Sequence, residues 1–573
     1  MVTTCSNPLK KEQCDRPNVV FILTDDQDTH LNSLDYMPHV KRHLLDKGTH
    51  FTKHYCTTAV CCPSRATLWT GKQSHNTNIT DVSPPYGGYP KFVENGFNEN
   101  YLPVWLQQAG YNTYYTGKLF NAHSVKNYDD PAPAGIYQFC IADFLLDPFT
   151  YNYLNSTFQR KGEHPKSYEG RYSTDIVARK AQDLLQDAVA DGKPFFLTIA
   201  PIAPHGNIFM NGSSSVVGKE PMLGHSAPIS AKRHEHLFRD VKVPRTENFN
   251  PEIPSGANWL LGLPQQTQEN IDYNDHYHRQ RLRSLQAVDE LVDNIFVALE
   301  DYDILDNTYV FYSSDNGFHI GQHRLQPGKS CGYEEDIHVP LIVRGPSVAA
   351  NYTTTDIVTT HIDLAPTFFK LLGIPTREDF DGTAIPVDRE GIEAVTQRRR
   401  EHVAVEYWGY AGGEGIFDKT LHENNTYKAI RIAGPGYNIY YSVWCTNERE
   451  IYDMSVDPGQ MHNLFPVISS TISIAGHSLS KIVSRLDSLL LVLKSCSGKV
   501  CREPWKSLHP AGDVATLEDA LAEEYDEFYE HQQTTRVEYE YCWNGYVPEV
   551  EGPMWETHGV PFVRDGLPWY DWV

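Results

Sequence analysis

The chain has 573 residues, 40% of them hydrophobic and 12% aromatic, with 34 tyrosines and 10 tryptophans, which supplies a large core and excludes a disordered chain. Its 49 basic against 73 acidic side chains leave a net charge of −24, and such an excess repels nucleic acid and anionic membranes at long range, so neither is an expected partner. An anionic substrate would need a local island of positive charge inside a negative molecule.

The start, Met1 to Asp15, carries Cys5, Lys10, Lys11 and Cys14 but no apolar segment of the kind a leader has, and no run of 18 apolar residues follows anywhere. The chain reads as soluble. From Asn18 to about Pro375 short apolar runs alternate with amphipathic stretches, which predicts strands alternating with helices around a mostly parallel sheet. Val19 to Leu23 reads as a buried strand, Pro38 to Lys47 as a helix stopped by Gly48, and Cys61 to about Thr70 as a helix stopped by Gly71. A helix from Leu102 to Ala109 leads into a strand from Tyr111 to Thr116, and Phe195 to Ile199, Tyr309 to Tyr312 and Leu341 to Val343 read as further strands. Gly206 to Asn270, rich in Pro, Gly, Ser and His, reads as long loops over the site end of the sheet. The spacing of Leu282, Leu285, Val288, Val292, Ile295 and Leu299 predicts the longest helix, and Ile362 to Leu372 the last of this unit. Arg389 to Glu401 reads as a charged linker. Beyond it Tyr, Trp and Gly rise, and Tyr427 to Trp444 shows β-type runs broken at Gly434-Pro435-Gly436, so the expected domains are 1–395, catalytic, and 396–573, a smaller antiparallel subdomain with an acidic, aromatic tail.

The chemistry gathers at strand ends. Thr24-Asp25-Asp26-Gln27 directly follows the first strand, where residues of a parallel sheet face its crevice, and adjacent carboxylates repel unless a cation sits between them. Ser313-Ser314-Asp315-Asn316-Gly317 stands in the same position after another strand. Together they offer three carboxylates and an amide oxygen, a set suited to Ca²⁺ or Mg²⁺ rather than zinc. Cys61-Cys62-Pro63-Ser64-Arg65 places Cys61 at the positive end of a helix, where backbone N–H groups and Arg65 favour an anion. Gly117-Lys118, Pro204-His205 and Lys329 also follow or precede strands. Arg65, Lys118, His205 and Lys329 would form the positive island.

Cys61-Cys62-Pro63-Ser64-Arg65, followed five residues later by Thr70-Gly71, resembles the signature of type I sulfatases, in which the first Cys is oxidised to formylglycine. The resemblance runs from Arg16-Pro17-Asn18 through His361-Ile362-Asp363 to Glu450-Ile451-Tyr452-Asp453; it is nearest to fungal arylsulfatases, with likeness to N-acetylglucosamine-6-sulfatases in the Cys61-Cys62 pair. It implies an α/β fold of the alkaline phosphatase superfamily, a large mostly parallel sheet flanked by helices with a smaller C-terminal antiparallel sheet. It also implies one calcium ion held by Asp25, Asp26, Cys61, Asp315 and Asn316, maturation by a formylglycine-generating enzyme, and hydrolysis of small-molecule sulfate esters, aryl or sugar. In the implied mechanism a hydrated aldehyde at residue 61 attacks sulfur with help from Arg65 and Lys118, while His205 and Lys329 bind the sulfate oxygens and assist the departing alcohol. Many sulfatases have a histidine two residues after the lysine matching Lys118. Here that position is Phe120, and His123 is the candidate base for sulfate release, with Asn121 as a polar substitute.

Eleven cysteines, with close spacings of Cys5 to Cys14 and Cys496 to Cys501, suit local bridges as well as buried thiols, and sequons stand at Asn78, Asn155, Asn211, Asn351 and Asn424. Both fit a secreted or endolysosomal route. The rivals are a phosphatase or phosphonate monoester hydrolase of the same fold, and a catalytically silent glycoprotein whose Cys61 stays a thiol.

Overall fold

Five consecutive apolar residues, Val19 to Leu23, form the middle of strand β1 (Asn18–Thr24), and all are fully buried. An unbroken run, in place of an alternating one, is what a strand covered on both faces requires. Val19, Phe21 and Leu23 enter one hydrophobic core, and Val20 and Ile22 enter a second on the opposite face. The computed structural model describes residues 16–135, 142–160, 162–211, 222–398, 401–417, 420–467 and 472–563; the expected Cys5–Cys14 bridge lies outside them.

β1 lies inside a ten-stranded sheet. The order is β10 (Tyr352–Thr354), β2 (Thr49–Phe51), β9 (Leu341–Arg344), β8 (Thr308–Ser314), β1, β7 (Phe195–Ala200), β3 (Asn112–Lys118), β4 (Ala142–Leu145), β5 (Thr157–Arg160) and β6 (Lys166–Ser167). β8, β1, β7, β3 and β4 run parallel, so their carboxyl ends share one edge. Antiparallel pairing is confined to the flanks, where β9 joins β8 and β2, and β5 joins β4 and β6.

Helices cover both faces. α1 (Cys61–Thr70), α2 (Leu102–Gln108) and α5 (Leu364–Leu371) bring Trp69, Leu106 and Phe368 onto the first core. There the Phe368 ring lies 5.7, 4.9 and 4.9 Å from those of Phe21, Phe196 and Phe311. α3 (Ser173–Asp191) and α4 (Gln268–Asp301) lay Leu184, Leu285, Val288 and Leu291 on the second. α4 begins well before the Leu282 stripe, because Thr267 and Asn270 form a reciprocal cap that satisfies its first free N–H groups. The helix expected from Pro38 is a turn, Pro38–Val40, that widens into a π-helical segment, Lys41–Leu45. Among the described residues no helix is long and apolar enough to cross a membrane.

Two expectations need correction. The stretch read as long loops holds an antiparallel hairpin, Asn207–Asn211 with Met222–Ser226, besides short 3₁₀ turns. The stretch read as a linker is mostly helix α6 (Arg389–Arg398). Its charge hid a short apolar stripe, for Ile392 and Val395, three residues apart, dock on the first core.

The C-terminal sheet is antiparallel in the order β11 (His402–Tyr407), β12 (Tyr427–Gly434), β13 (Tyr437–Trp444) and β14 (Arg449–Asp453), with the Gly434-Pro435-Gly436 break as the β12–β13 hairpin turn. α7 (Leu479–Leu493) shares its core. Cys496 and Cys501 are bridged, one of the two alternatives their spacing left open, and a further bridge joins Cys445 to Cys542 across 97 residues, a pairing no local spacing reveals.

One buried ionic group pins this sheet to the large one. Glu406 on β11 accepts from Lys428 on β12 at 2.8 Å and from His75, just beyond α1, at 2.9 Å. Burial pushes the Glu406 carboxyl up, but His75 and Lys428 outweigh it and hold it at about 2, against an ordinary 4.5. At roughly 1.4 kcal/mol per pH unit, that drop of about 2.5 is worth about 3 kcal/mol. The folded value is depressed, so this stability is present above pH ~4.5 and lost as pH falls towards ~2. His75, raised by the same contact, adds its share at low pH and loses it as pH rises past its folded pKa. Glu406→Gln should therefore lower the guanidinium midpoint at pH 6, and the gap from wild type should close between pH 4.5 and 2. A gap constant across that range would refute the coupling.

Candidate active site

The shared carboxyl edge of β8, β1, β7 and β3 collects charged residues because the chain leaves each strand there. Asp25 and Asp26 follow β1, Asp315 and Asn316 follow β8, Lys118 ends β3, and His205 lies five residues beyond β7. Gly117 makes the approach possible: with φ +109°, a Cβ there would lie 2.0 Å from the Ala200 carbonyl oxygen. α1 enters the same place by its first turn. Val60 precedes it in extended conformation, Cys61 is its first residue, and Gly71 ends it in a left-handed conformation (φ +67°) with its N–H on the Thr67 carbonyl.

The Cys61 Sγ lies 3.4 Å from Asp25 Oδ1 and 3.9 Å from Asp26 Oδ1. Arg65, one turn along, donates from Nε to Asp315 Oδ2 at 2.9 Å, from Nη2 to Asp25 Oδ2 at 3.2 Å, and from Nη1 to the Lys118 carbonyl. Lys118 Nζ bonds Asp25 Oδ2 at 2.6 Å and stands 3.6 Å from Asp315 Oδ2. Lys329 Nζ spans both oxygens of Asp26 at 2.7 and 2.8 Å. His205 donates from Nδ1 to the Gly206 carbonyl at 2.7 Å, which turns Nε2 to the cluster, 3.6 Å from Asp26 Oδ2. All these side chains are buried. Asp26 holds a left-handed backbone (φ +69°), a conformation that costs a non-glycine residue about 1–2 kcal/mol and is retained where the surroundings enforce it. Asp315 Oδ1, 3.1 Å from the Asp26 N–H, is one such restraint.

The electrostatics follow. Burial pushes the Asp25 carboxyl up, but Lys118 and Arg65 overcome it and hold it below the usual carboxylate range. Burial opposes charge on Lys118 and Lys329 as well; Asp25 and Asp26 respectively overcome that and raise both lysines. The Cys61 thiol is driven up by burial and by Asp25, so it stays protonated and is a poor nucleophile in that form.

The sequence-predicted residues Asp25, Asp26, Cys61, Arg65, Lys118, His205, Asp315, Asn316 and Lys329 thus meet in one cluster. His123 is set apart, its ring against Tyr89 and Phe144 at 4.5 and 5.1 Å, and burial lowers it to about 3, so it is neutral. Asn121 comes nearer by donating to the Tyr151 hydroxyl at 2.8 Å. Two residues were missed. Tyr151 stacks on His205, with ring centroids 3.9 Å apart, and its ring faces Lys118 Nζ at 4.7 Å. Glu414 stands 3.1 Å from Lys329 Nζ and 3.9 Å from His205 Nε2. Its Gly-rich segment is held by an N–H bond from Glu414 to the Pro327 carbonyl, beside Gly328 and Lys329. No motif announces either residue; an acid between two glycines was the only local sign.

Asp25, Asp26, Asp315 and Glu414 put four carboxylates against three permanent cations, Arg65, Lys118 and Lys329, so the cluster as built repels an anion. A divalent cation would reverse the sign. The donors suit one: three carboxylates converge, and Asn316 Oδ1 is buried without a hydrogen-bond partner while its Nδ2 donates to Asp26 Oδ1 at 2.7 Å. A hard, oxygen-seeking ion fits Asp25, Asp26, Asp315 and Asn316.

The family described as Sulfatase matches residues 17–374, and that described as N-sulphoglucosamine sulphohydrolase, C-terminal, matches 321–485. An arylsulfatase of Volvox carteri is 38% identical over 539 residues, covering 90% of this chain and 80% of that relative. The N-acetylglucosamine-6-sulfatase of Homo sapiens is 30% identical over 518 residues, covering 85% of this chain and 86% of its own. A solved structure of a protein in complex with its substrate D-glucosamine-2-N,6-O-disulfate superimposes with a TM-score of 0.59 at 24% identity, covering 78% of this chain and 93% of that one.

The cation site makes a direct prediction. Calcium or magnesium should raise the thermal midpoint of the wild type as a folded-state ligand does, and Asn316→Ala should need at least about tenfold more ion for the same rise. A wild-type midpoint indifferent to both ions would remove the site.

Proposed function

The chain belongs to the sulfatase family and hydrolyses sulfate esters, and from that premise we propose that it does so with formylglycine made from Cys61, beside a calcium ion held by Asp25, Asp26, Asp315, Asn316 and residue 61. The observation that carries the reading is the place of the Cys61 Sγ, 3.4 Å from Asp25 and 3.9 Å from Asp26, the two carboxylates that Arg65, Lys118 and Lys329 hold. Bound calcium would supply fixed positive charge beside the reacting oxygens and favour an ionised hydroxyl. The hydrated aldehyde would supply one hydroxyl to attack sulfur and a second to expel sulfate.

The chain's own residues set up the rest. Arg65, braced by Asp315 and Asp25, holds its charge next to residue 61 without reorganising. Lys118 adds a second fixed charge on the same side, under the Tyr151 ring that keeps water from it. Lys329 and His205 lie on the other side, over Asp26, where they orient the sulfate oxygens and meet the leaving alcohol. With Nδ1–H committed to the Gly206 carbonyl, Nε2 is the ring atom that faces the departing alcohol. Glu414 positions Lys329, and stacked Tyr151 holds the His205 ring at its angle. The His123 ring packs on Tyr89 and Phe144, whereas Asn121 reaches the cluster through Tyr151 and is the better polar candidate in that region.

The relatives named arylsulfatase and N-acetylglucosamine-6-sulfatase make aryl and sugar sulfates the substrate classes to try. A secreted or endolysosomal setting is supported by the Cys445–Cys542 and Cys496–Cys501 bridges and by exposed sequon residues Asn78, Asn351 and Asn424. Maturation would need a formylglycine-generating enzyme.

Mass analysis of the Cys61 peptide should find an aldehyde form, lighter than the thiol and reactive towards hydrazides, and Cys61→Ala should lose ~10⁴-fold or more in kcat/KM on an aryl sulfate. A thiol-only peptide from fully active protein would overturn the proposal. Faster turnover of the matching aryl phosphate would move it to the phosphatases, and a thiol with no ester turned over would leave a binding glycoprotein.

A further inference from the structure

On another side of the β1 loop stands a second set of metal-type donors that sulfate hydrolysis does not use. His30, four residues after Asp26, faces His338 and Glu334 from the segment that leads into β9. His30 Nε2 lies 3.0 Å from His338 Nδ1 and 3.6 Å from Glu334 Oε2, and His338 Nδ1 lies 3.3 Å from that same oxygen. For a tetrahedral zinc ion with bonds of about 2.0–2.1 Å, neighbouring ligand atoms stand about 3.3–3.4 Å apart. The three separations straddle that edge length, so the donors already outline one face of the polyhedron.

Each donor is aimed by a partner outside the triad. His338 Nε2 donates to the Thr52 carbonyl at 2.6 Å, which fixes the tautomer and turns the Nδ1 lone pair inward, while the Tyr55 ring stacks on the imidazole. Arg431 of β12 takes Glu334 Oε1 and leaves Oε2 for the triad. The His30 side chain is 33% exposed, against 15% and 6% for His338 and Glu334, so the open position faces solvent and would take a water. Glu335 and Asp28 add negative potential around His30, against Arg431 and Lys53 beside Glu334. Two imidazoles and a carboxylate suit a borderline transition-metal ion, unlike the all-oxygen catalytic cluster.

A second histidine pair among the described residues lacks this arrangement. His39 and His43 both point at a single oxygen, Asp293 Oδ1, at 3.1 and 2.7 Å, and Arg42 lies 3.8 Å from it, so the carboxylate is already shared among cations.

We propose that His30, Glu334 and His338 bind zinc, with water as the fourth ligand, as a structural clamp separate from the catalytic ion. The clamp would join the loop that carries Asp25 and Asp26 to the segment that carries Lys329, and through Arg431 to the C-terminal sheet. The test uses the full chain saturated with calcium, so that the oxygen cluster is occupied. After dialysis against zinc, wild type and His39→Ala should hold one more zinc per chain than His30→Ala, whose zinc affinity should fall at least ~10–100-fold. Cobalt(II) should give intense four-coordinate visible bands in wild type that His30→Ala loses. His30 is partly exposed, so that variant should fold; its metal-free thermal midpoint should match wild type, and His338→Gln gives a second removal if it does not. Equal zinc content in wild type and His30→Ala, or only the weak spectrum of six-coordinate cobalt, would overturn the clamp.

Discussion

Everything at the reactive end of this molecule depends on opposite charges being buried together in a region that excludes water. Arg65, Lys118 and Lys329 are buried, and Asp25, Asp26 and Asp315 with them. Each would be costly alone, and each is tolerable because its neighbours replace the solvent. The interlocking has a mechanical side. Arg65 ties α1 to the ends of β1, β8 and β3 at once, through Asp25, Asp315 and the Lys118 carbonyl. The charges that would meet a sulfate oxygen are thus also the fastenings between helix and sheet, and they need not rearrange when a substrate arrives.

How much was legible in the sequence follows the range of the interactions. β1 and β7 are written as apolar runs because both faces of those strands are covered, and the motif after each strand follows from the crevice rule. Cys61, Arg65 and the stop at Gly71 belong to one helix and its cap and could be read together. Tyr151 and Glu414 could not, since what places them is contact with residues far off in the chain: His205 for one, and the Pro327 carbonyl and Lys329 for the other. The same applies to Cys445 and Cys542. α6 was misread for another reason: a composition rich in Arg and Glu resembles a linker, and two apolar residues at helical spacing carry the docking.

The second half of the chain does more than cover the first. Glu406 reaches His75 behind α1, Glu414 reaches Lys329, and Arg431 reaches Glu334. Three separate ionic contacts therefore run from the small sheet and its loops into segments that border the cluster. The parallel sheet supplies most of the clustered charges, and the antiparallel part fixes the loops on which some of them sit, so the orientation of Lys329 depends on residues from both.

The depth of Cys61 sets a constraint of time. Its side chain and those of Cys62, Pro63, Ser64 and Arg65 have essentially no surface in the finished fold, so no other protein could grip that stretch once α1 has docked. A maturing enzyme of the kind proposed would therefore have to meet an extended chain, in a race against collapse. A ribosome or a translocation pore that keeps the first hundred residues apart from the later strands would lengthen that race, whereas a molecule that folds unmodified seals its own thiol beyond repair.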